Sequence, residues 1–139
     1  MDKSEIEAAL NKTAFTGSWA ATIRDPSGDL RNVASRTVYR DEQFAEERCI
    51  GQSGNDETWQ AFQVRLAGGT PTGQYVLGDG YLLAMDYIAP GQSDAESATN
   101  GELLFTRESE ALFALHVLNF RSGNGTQIGC NLIIEGELE

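Results

Sequence analysis

The stretch that decides the fold of this chain lies at its C-terminal end. It runs from Gly101 to Leu138 and has the sequence GELLFTRESEALFALHVLNFRSGNGTQIGCNLIIEGEL. In its last part Ile128, Leu132 and Ile134 share one side of an extended chain, whereas Asn131 lies on the other. A period of two residues is typical of a β-strand with a core on one side and water on the other. The end of the chain is therefore predicted to be a strand with one buried face.

Two more strands are predicted before it. Leu103 and Phe105 alternate with polar residues, whereas Leu112 to Phe120 is apolar on both faces apart from His116 and Asn119. A run that is apolar on both faces favours the centre of a sheet or a place between two packed layers. The polar turns RESE and SGNG separate the three strands, and the Asn-Gly pair in the second favours a tight hairpin. We therefore predict a meander of three consecutive antiparallel strands.

Working outward from this meander, the same period predicts further strands along the chain. They cover Gly17 to Arg24, Leu30 to Arg40, Phe44 to Ile50, Thr58 to Leu66, Gln74 to Leu77 and Tyr81 to Ile88. For residues 41–50 a helical turn is the alternative interpretation. Residues 51–56 and 90–100 are predicted to be loops, because Gly, Asn, Ser and Pro are frequent in them.

The N-terminal residues favour a helix. Ser4 and Glu7 match a capping box, which predicts a short helix over about residues 4–12 that covers one end or edge of the sheet. With this helix, about eight or nine strands separated by frequent turns predict an all-β fold, an antiparallel barrel or a sandwich. A length of 139 residues suits one domain over 1–139.

The composition restricts the classes of partner. A formal net charge of −11 disfavours binding to nucleic acids and to anionic membranes, because both would be repelled. No apolar run is long enough for a membrane helix, and the N-terminus MDKSEIEAAL lacks the apolar segment of a signal peptide. We therefore expect a cytoplasmic protein, although an exported chain whose signal peptide had been removed would begin in the same way.

The sequence gives no reason to expect a cofactor or a metal ion. Cys49 and Cys130 are the two cysteines, and in a cytoplasmic chain we expect two reduced thiols that behave as small apolar residues. A disulfide between them is the alternative. Two cysteines without a neighbouring histidine do not form a metal site, and no phosphate-binding loop or nucleophile elbow is present.

Two short patterns resemble known families. The segments GQYVL at 73–77, NGELLF at 100–105 and EGEL at 135–138 are similar to small bacterial all-β domains of unknown function. Gly17-Ser18-Trp19 resembles the G-x-W opening of lipocalin-type and avidin-type barrels, in which the tryptophan closes the floor of the barrel. The sequence shows no late arginine to match the one that packs on that tryptophan. Both resemblances imply an antiparallel β architecture and assign no chemistry.

Asp86 and His116 are the candidates for acid–base chemistry. His116 is the single histidine and shares a strand face with Ala114 and Leu118, whereas Asp86 is in phase with apolar residues of its own strand. If the two met on neighbouring strands they would form a polar pocket suited to proton transfer. The alternatives are a hydrogen-bonded core histidine and an aspartate on a partly hydrated face or paired with an arginine.

Four aromatic residues are the candidates for ligand binding. Trp59, Tyr75, Tyr81 and Tyr87 lie in or next to predicted strands and would line a cleft if they faced one another. Aromatic rings stack on the apolar faces of sugars and other flat ligands, although aromatics in strands more often only fill a core.

Three functions follow, in decreasing order of preference. The first is a non-enzymatic binding domain that holds a small apolar or sugar-like ligand in a cleft, or binds a protein partner. The second is an acidic inhibitor or immunity-type protein that binds a basic protein partner. The third is a small barrel enzyme that uses Asp86 and His116. Homo-oligomerisation is a further expectation, because apolar strands with free edges need cover.

Overall fold

The computed structural model describes residues 2–12, 14–109 and 112–137 of the chain. These residues form one α-helix, a short 3₁₀ turn at Asp56–Thr58 and ten strands. The helix is α1 (Lys3–Leu10), and the strands are β1 (Phe15–Arg24), β2 (Leu30–Ser35), β3 (Thr37–Gln43), β4 (Glu46–Ser53), β5 (Gln60–Ala67), β6 (Gly73–Val76), β7 (Leu82–Ile88), β8 (Glu96–Arg107), β9 (Phe113–Ser122) and β10 (Gln127–Glu137).

All ten strands belong to one antiparallel sheet that curls into a nearly closed barrel. The strand order is β2-β1-β10-β9-β8-β7-β5-β4-β3, and β6 pairs with the second half of β8. The two edge strands, β2 and β3, follow each other in the chain with only Arg36 between them. The sheet therefore returns on itself at this corner, and Gly17 of β1 comes close to Val38 of β3. The all-β prediction with a short N-terminal helix is confirmed, in its barrel form.

The predicted C-terminal meander is confirmed. β9 lies between β8 and β10, and the two hairpins pair Leu104 with His116 and His116 with Asn131. The inward side chains of the three strands belong to one large core in the barrel interior. The prediction for the middle strand was only half right, because His116 and Leu118 are exposed on the outer side. β9 is central in the sheet, but none of the described residues covers its outer face.

The region from Leu30 to Gln43 corrects two predictions. The single strand expected over Leu30 to Arg40 is two strands, since the chain bends at Arg36 and passes from one edge of the sheet to the other. The strand expected from Phe44 begins only at Glu46, because Phe44 and Ala45 form the tight turn between β3 and β4. The inward positions shift by one residue at both places: Val33 in β2, Val38 in β3 and Cys49 in β4 face the barrel core, so a single period of two cannot describe the whole stretch.

The two predicted loops were also longer than the observed ones. Gly51 to Ser53 belong to β4, and β8 already begins at Glu96, inside the segment predicted to be a loop. Gly51 is needed in the strand because a Cβ at this position would collide with Cγ of Trp19. The polar start of β8 pairs with β7 on one side and with β9 on the other, so backbone hydrogen bonds hold it in the sheet despite its composition.

Helix α1 covers a face of the barrel wall, not an end or an edge. Neighbouring residues of β4, such as Cys49 and Ile50, point to opposite sides, and Ile50 belongs to a second apolar cluster outside the barrel. Ile6 and Ala9 of the helix complete this cluster. The N-cap is Asp2 and not Ser4, because the Asp2 carboxylate accepts hydrogen bonds from the Glu5 amide at 3.0 Å and the Ser4 hydroxyl at 2.8 Å.

Both cysteines are free thiols buried in the barrel core, in agreement with the expectation of two reduced residues. Burial in an apolar environment disfavours the thiolate and raises the pKa of each thiol to about 12. The Trp19 side chain beside Cys130 acts in the opposite direction but is outweighed by burial. Neither thiol is therefore suited to act as a nucleophile.

Candidate functional site

A charged cleft opens at one end of the barrel. Its volume is about 810 Å³, and it lies where the free edge of β3 separates from the start of β1 and the end of β10. Its walls are formed by Phe15, Tyr39, Arg40, Asp41, Glu42, Glu47, Gly69, Arg107, Gly136 and Glu137. We call it the end cleft.

A partly buried ion pair forms part of the lining of the end cleft. Glu47 is in phase with the inward residue Cys49 and is only 4% exposed, and its Oε2 lies 2.6 Å from Nη2 of Arg107. The Arg107 guanidinium also donates hydrogen bonds to the Thr70 carbonyl, from Nε at 3.2 Å and from Nη2 at 3.1 Å. These contacts give the guanidinium one orientation and satisfy much of its donor capacity.

The Phe113 ring holds two guanidinium groups. The central carbon of Arg40 lies 4.2 Å from the ring centroid, and that of Arg107 lies 4.6 Å from it. Arg40 also donates to Glu42, with 2.9 Å between Nη2 and Oε1. Stacking on an aromatic ring orients a guanidinium while leaving its N–H groups directed sideways.

An aromatic pair forms another wall of the end cleft. The rings of Phe15 and Tyr39 meet edge to face, with their centroids 5.5 Å apart. The Tyr39 hydroxyl donates to Asp41, which in turn accepts two hydrogen bonds from the Arg48 guanidinium. Burial and the charge of Asp41 raise the pKa of Tyr39, so its hydroxyl remains protonated at neutral pH.

The lining of the end cleft is polar and acidic. It contains four carboxylates and two guanidinium groups. Each guanidinium has a carboxylate partner within the cleft, and Asp41 is paired with Arg48. Glu137 has no ion-pair partner among the residues that the structure describes. The cleft therefore offers both donors and acceptors of hydrogen bonds, with a negative balance.

The structure does not bring the four predicted ligand-binding aromatics together. Trp59 is buried beneath α1, with the Lys3 ammonium 5.0 Å from its ring centroid. Tyr75 and Tyr81 form a pair whose centroids lie 5.2 Å apart. Tyr87 is buried inside the barrel, where its hydroxyl donates to Gln60 at 2.6 Å and accepts a hydrogen bond from Arg31 at 2.8 Å. None of the four lines the end cleft.

Asp86 and His116 are also far apart. Asp86 pairs with Ser97 at the start of β8, whereas His116 pairs with Leu104 of the same strand. Seven residues of a strand correspond to about 20 Å. Asp86 accepts hydrogen bonds from Ser97 at 2.7 Å and from Gln63 at 3.3 Å, and His116 is bonded to the Asn131 side chain. This geometry does not support a catalytic pair.

The residues that line the end cleft were missed by the sequence analysis. Arg40, Glu47 and Arg107 are each in phase with inward residues of their own strand, namely Val38, Cys49 and Phe105. A charged residue in phase with the apolar residues of its strand is a usable signal, and Arg40, Glu47 and Arg107 carry it as Asp86 does. It identifies positions at the end of a barrel but does not say which of them meet.

Comparison with known proteins adds no assignment. The described residues contain no helix that is both long and apolar enough to cross a membrane. Within the same part of the chain, no three His, Cys, Asp or Glu side chains are grouped in a way that would hold a metal ion. A scan against protein-family models finds no match to this chain, and neither does a search of curated proteins.

Proposed function

We propose that this chain is a non-enzymatic binding domain that holds a small, sugar-like ligand in the end cleft. The observation that carries the proposal is the combination, in one cleft of about 810 Å³, of aromatic rings with oriented carboxylates and guanidinium groups. This volume is within the range of about 300–1,000 Å³ that small-molecule sites usually have. Asp86 and His116, the pair on which an enzymatic function was based, have no part in it.

A neutral polyol suits this lining better than the other classes of small molecule. Hydroxyl groups donate to carboxylates such as Glu42 and Glu137 and accept from guanidinium groups such as Arg40, so one ligand satisfies both. An apolar ligand would remove these charged groups from water without replacing their hydrogen bonds. An anionic ligand would meet a lining with more carboxylates than guanidinium groups.

The proposal is tested by titrating the ¹⁵N-labelled protein with a panel of neutral mono- and disaccharides. We expect at least one sugar to shift the amide signals of Phe15, Gly69 and Gly136 and the side-chain Nε–H signals of Arg40 and Arg107, all of which line the end cleft. Replacement Phe15→Leu removes a ring on which a sugar would stack and should weaken binding about tenfold, which corresponds to about 1.4 kcal/mol.

The matched control is Phe44→Leu, which removes a fully exposed phenylalanine from the neighbouring hairpin. This variant should bind the sugar as the wild type does. The proposal is wrong if no sugar of the panel shifts these signals at millimolar concentration, or if the shifts lie elsewhere on the barrel.

A specific observation favours a second function, the acidic protein that binds a basic partner. Phe44 is 97% exposed at the tip of the β3–β4 hairpin, where φ is 54° at Phe44 and 62° at Ala45. Positive φ at two successive residues that carry a Cβ costs about 1–2 kcal/mol for each. Glu42 and Glu46 flank the tip. An aromatic anchor on an acidic hairpin would suit a basic protein that has an apolar pocket.

Replacing the turn by Phe44→Asn and Ala45→Gly should stabilise the protein by about 1–2 kcal/mol, because asparagine and glycine adopt positive φ readily. Urea unfolding measures this gain, and Leu83→Asn, which changes another exposed apolar residue, is the control with no gain. The second function further requires that a basic partner bind the wild type, that salt weaken the binding, and that the turn variant lose it. A partner that binds the turn variant equally well would contradict it.

A further inference from the structure

The outer wall of the barrel has two different halves. Helix α1 packs on the half made by β3, β4, β5 and β7, whereas none of the residues that the structure describes covers the half made by β9, β10, β1 and β2. The outward residues at the centre of this second half are all exposed: Ala20, Thr22, Asn32, His116, Leu118 and Asn131. We call this surface the neutral face.

Pairing between the strands places these residues side by side. Asn131 is opposite both His116 of β9 and Ala20 of β1, and Thr22 is opposite Asn32 of β2. His116 and Asn131 are joined by a side-chain hydrogen bond, and the Thr22 hydroxyl donates to Asn32 at 3.1 Å. Two shallow grooves, of about 430 and 320 Å³, run beside them. The side chains of the neutral face are therefore held in place by hydrogen bonds, and the surface has only shallow grooves.

The neutral face differs from the rest of the surface in its charge. None of its six residues is an acid, an arginine or a lysine, although the chain carries a formal net charge of −11. Charged residues appear only at its two ends. Arg24 and Arg121, both exposed and both opposite Gln127, lie at one end, next to the exposed Asp29 that precedes β2. Glu135 lies at the other end of β10, where the exposed Arg36 follows β2.

This arrangement is complementary to itself. If two copies meet face to face about a twofold axis that lies in the interface and runs perpendicular to the strands, the arginine end of each copy lies over the Glu135 end of the other, and Arg36 lies over Asp29. The uncharged centres then pack together, so that two acidic proteins approach where their like charges are fewest. The area fits a weak dimer, because four strands about 4.8 Å apart and about eight residues long present roughly 500 Å² per copy.

We infer that the neutral face is the interface of a symmetric dimer with a second copy of this chain. Other occupants fit the surface less well. Nucleic acids and anionic membranes are repelled by the net charge, and a basic protein is attracted to the acidic end cleft and hairpin before it is attracted to an uncharged wall. The inference does not depend on the ligand of the end cleft, which lies at the end of the barrel.

Sedimentation velocity of the full chain between 1 and about 500 µM tests the inference, since an interface of this size is expected to give a micromolar dissociation constant. Leu118→Lys places like charges across the twofold axis and should raise the dissociation constant at least about tenfold. The control is Leu83→Lys, which changes a leucine of similar exposure on β7, 38% against 44%, and should leave the dimer unchanged.

A charge swap tests the orientation and does not require the centre of the face to be altered. Arg121→Glu should weaken the dimer, and the double variant Arg121→Glu with Glu135→Arg should restore it, because each arginine then meets the opposite glutamate again. A monomer over the whole concentration range would overturn the inference. A dimer whose dissociation constant is unchanged by Leu118→Lys and by Arg121→Glu would also overturn it, because its interface would then lie on another surface.

Discussion

Replacing Gly51 by alanine is expected to destabilise the protein by about 3 kcal/mol, which is large for the addition of one methyl group. A Cβ at this position would lie 2.7 Å from the Cβ and Cδ2 atoms of Trp19 and closer still to its Cγ. Trp19 is fully buried and surrounded by the barrel core, so its ring has no free space into which to move. The cost is measured by urea unfolding.

The matched control is Gly129→Ala in β10. The nearest atom to a Cβ there is the Val117 carbonyl oxygen at 3.7 Å, an ordinary van der Waals distance. We expect a change of no more than about 0.5 kcal/mol at this exposed site. The double variant Trp19→Phe with Gly51→Ala should cost less than the sum of the two single variants, because the smaller ring makes room for the methyl group. Additive costs would show that Trp19 is not the obstacle.

Replacing Arg107 by methionine is expected to cost about 3–5 kcal/mol, because it leaves the buried Glu47 carboxylate without its counter-ion. Methionine retains much of the length of the side chain and its packing on Phe105 and Phe113. The lost stability should therefore come from the charge and not from a cavity. The measurement is again the free energy of unfolding in urea.

Two further variants separate this effect from a general effect of arginine removal. The double variant Glu47→Gln with Arg107→Met should be more stable than Arg107→Met alone, since no uncompensated charge remains in the wall of the cleft. Arg65→Met breaks an exposed pair whose Nε and Oε2 atoms are 3.8 Å apart, and should cost no more than about 1 kcal/mol. Equal losses for Arg65→Met and Arg107→Met would contradict the buried role of Glu47.

Much of the secondary structure could be predicted from the sequence because the signals are local. Trp19, Ala21 and Ile23 in β1, like Ile128, Cys130 and Leu132 in β10, are buried in the alternation that their spacing indicates. Errors arose where the chain changes direction and the phase of the period shifts. The bend at Arg36 and the turn at Phe44 and Ala45 each shift the inward positions by one residue, and the turn uses residues that rarely adopt positive φ.

The end cleft could not be predicted in the same way. Glu47 and Arg107 are sixty residues apart in the chain and come within 2.6 Å only because the start of β4 and the end of β8 lie at the same end of the barrel. The predicted aromatic group failed for the same reason, since Trp59 and Tyr87 lie on opposite sides of one wall. Side-chain type alone does not show which strands become neighbours or which face of a wall a helix will cover.

By itself, therefore, the sequence determined that the chain forms antiparallel strands and which side of most of them is buried. Side-chain alternation and turn chemistry depend on neighbours in the chain, and they act before any long-range contact forms. Only the tertiary structure decided that the sheet closes into a barrel, that an acidic cleft opens at its end, and that none of the described residues covers one half of its wall. These features depend on contacts between distant residues, and their geometry is set by how the whole sheet curls.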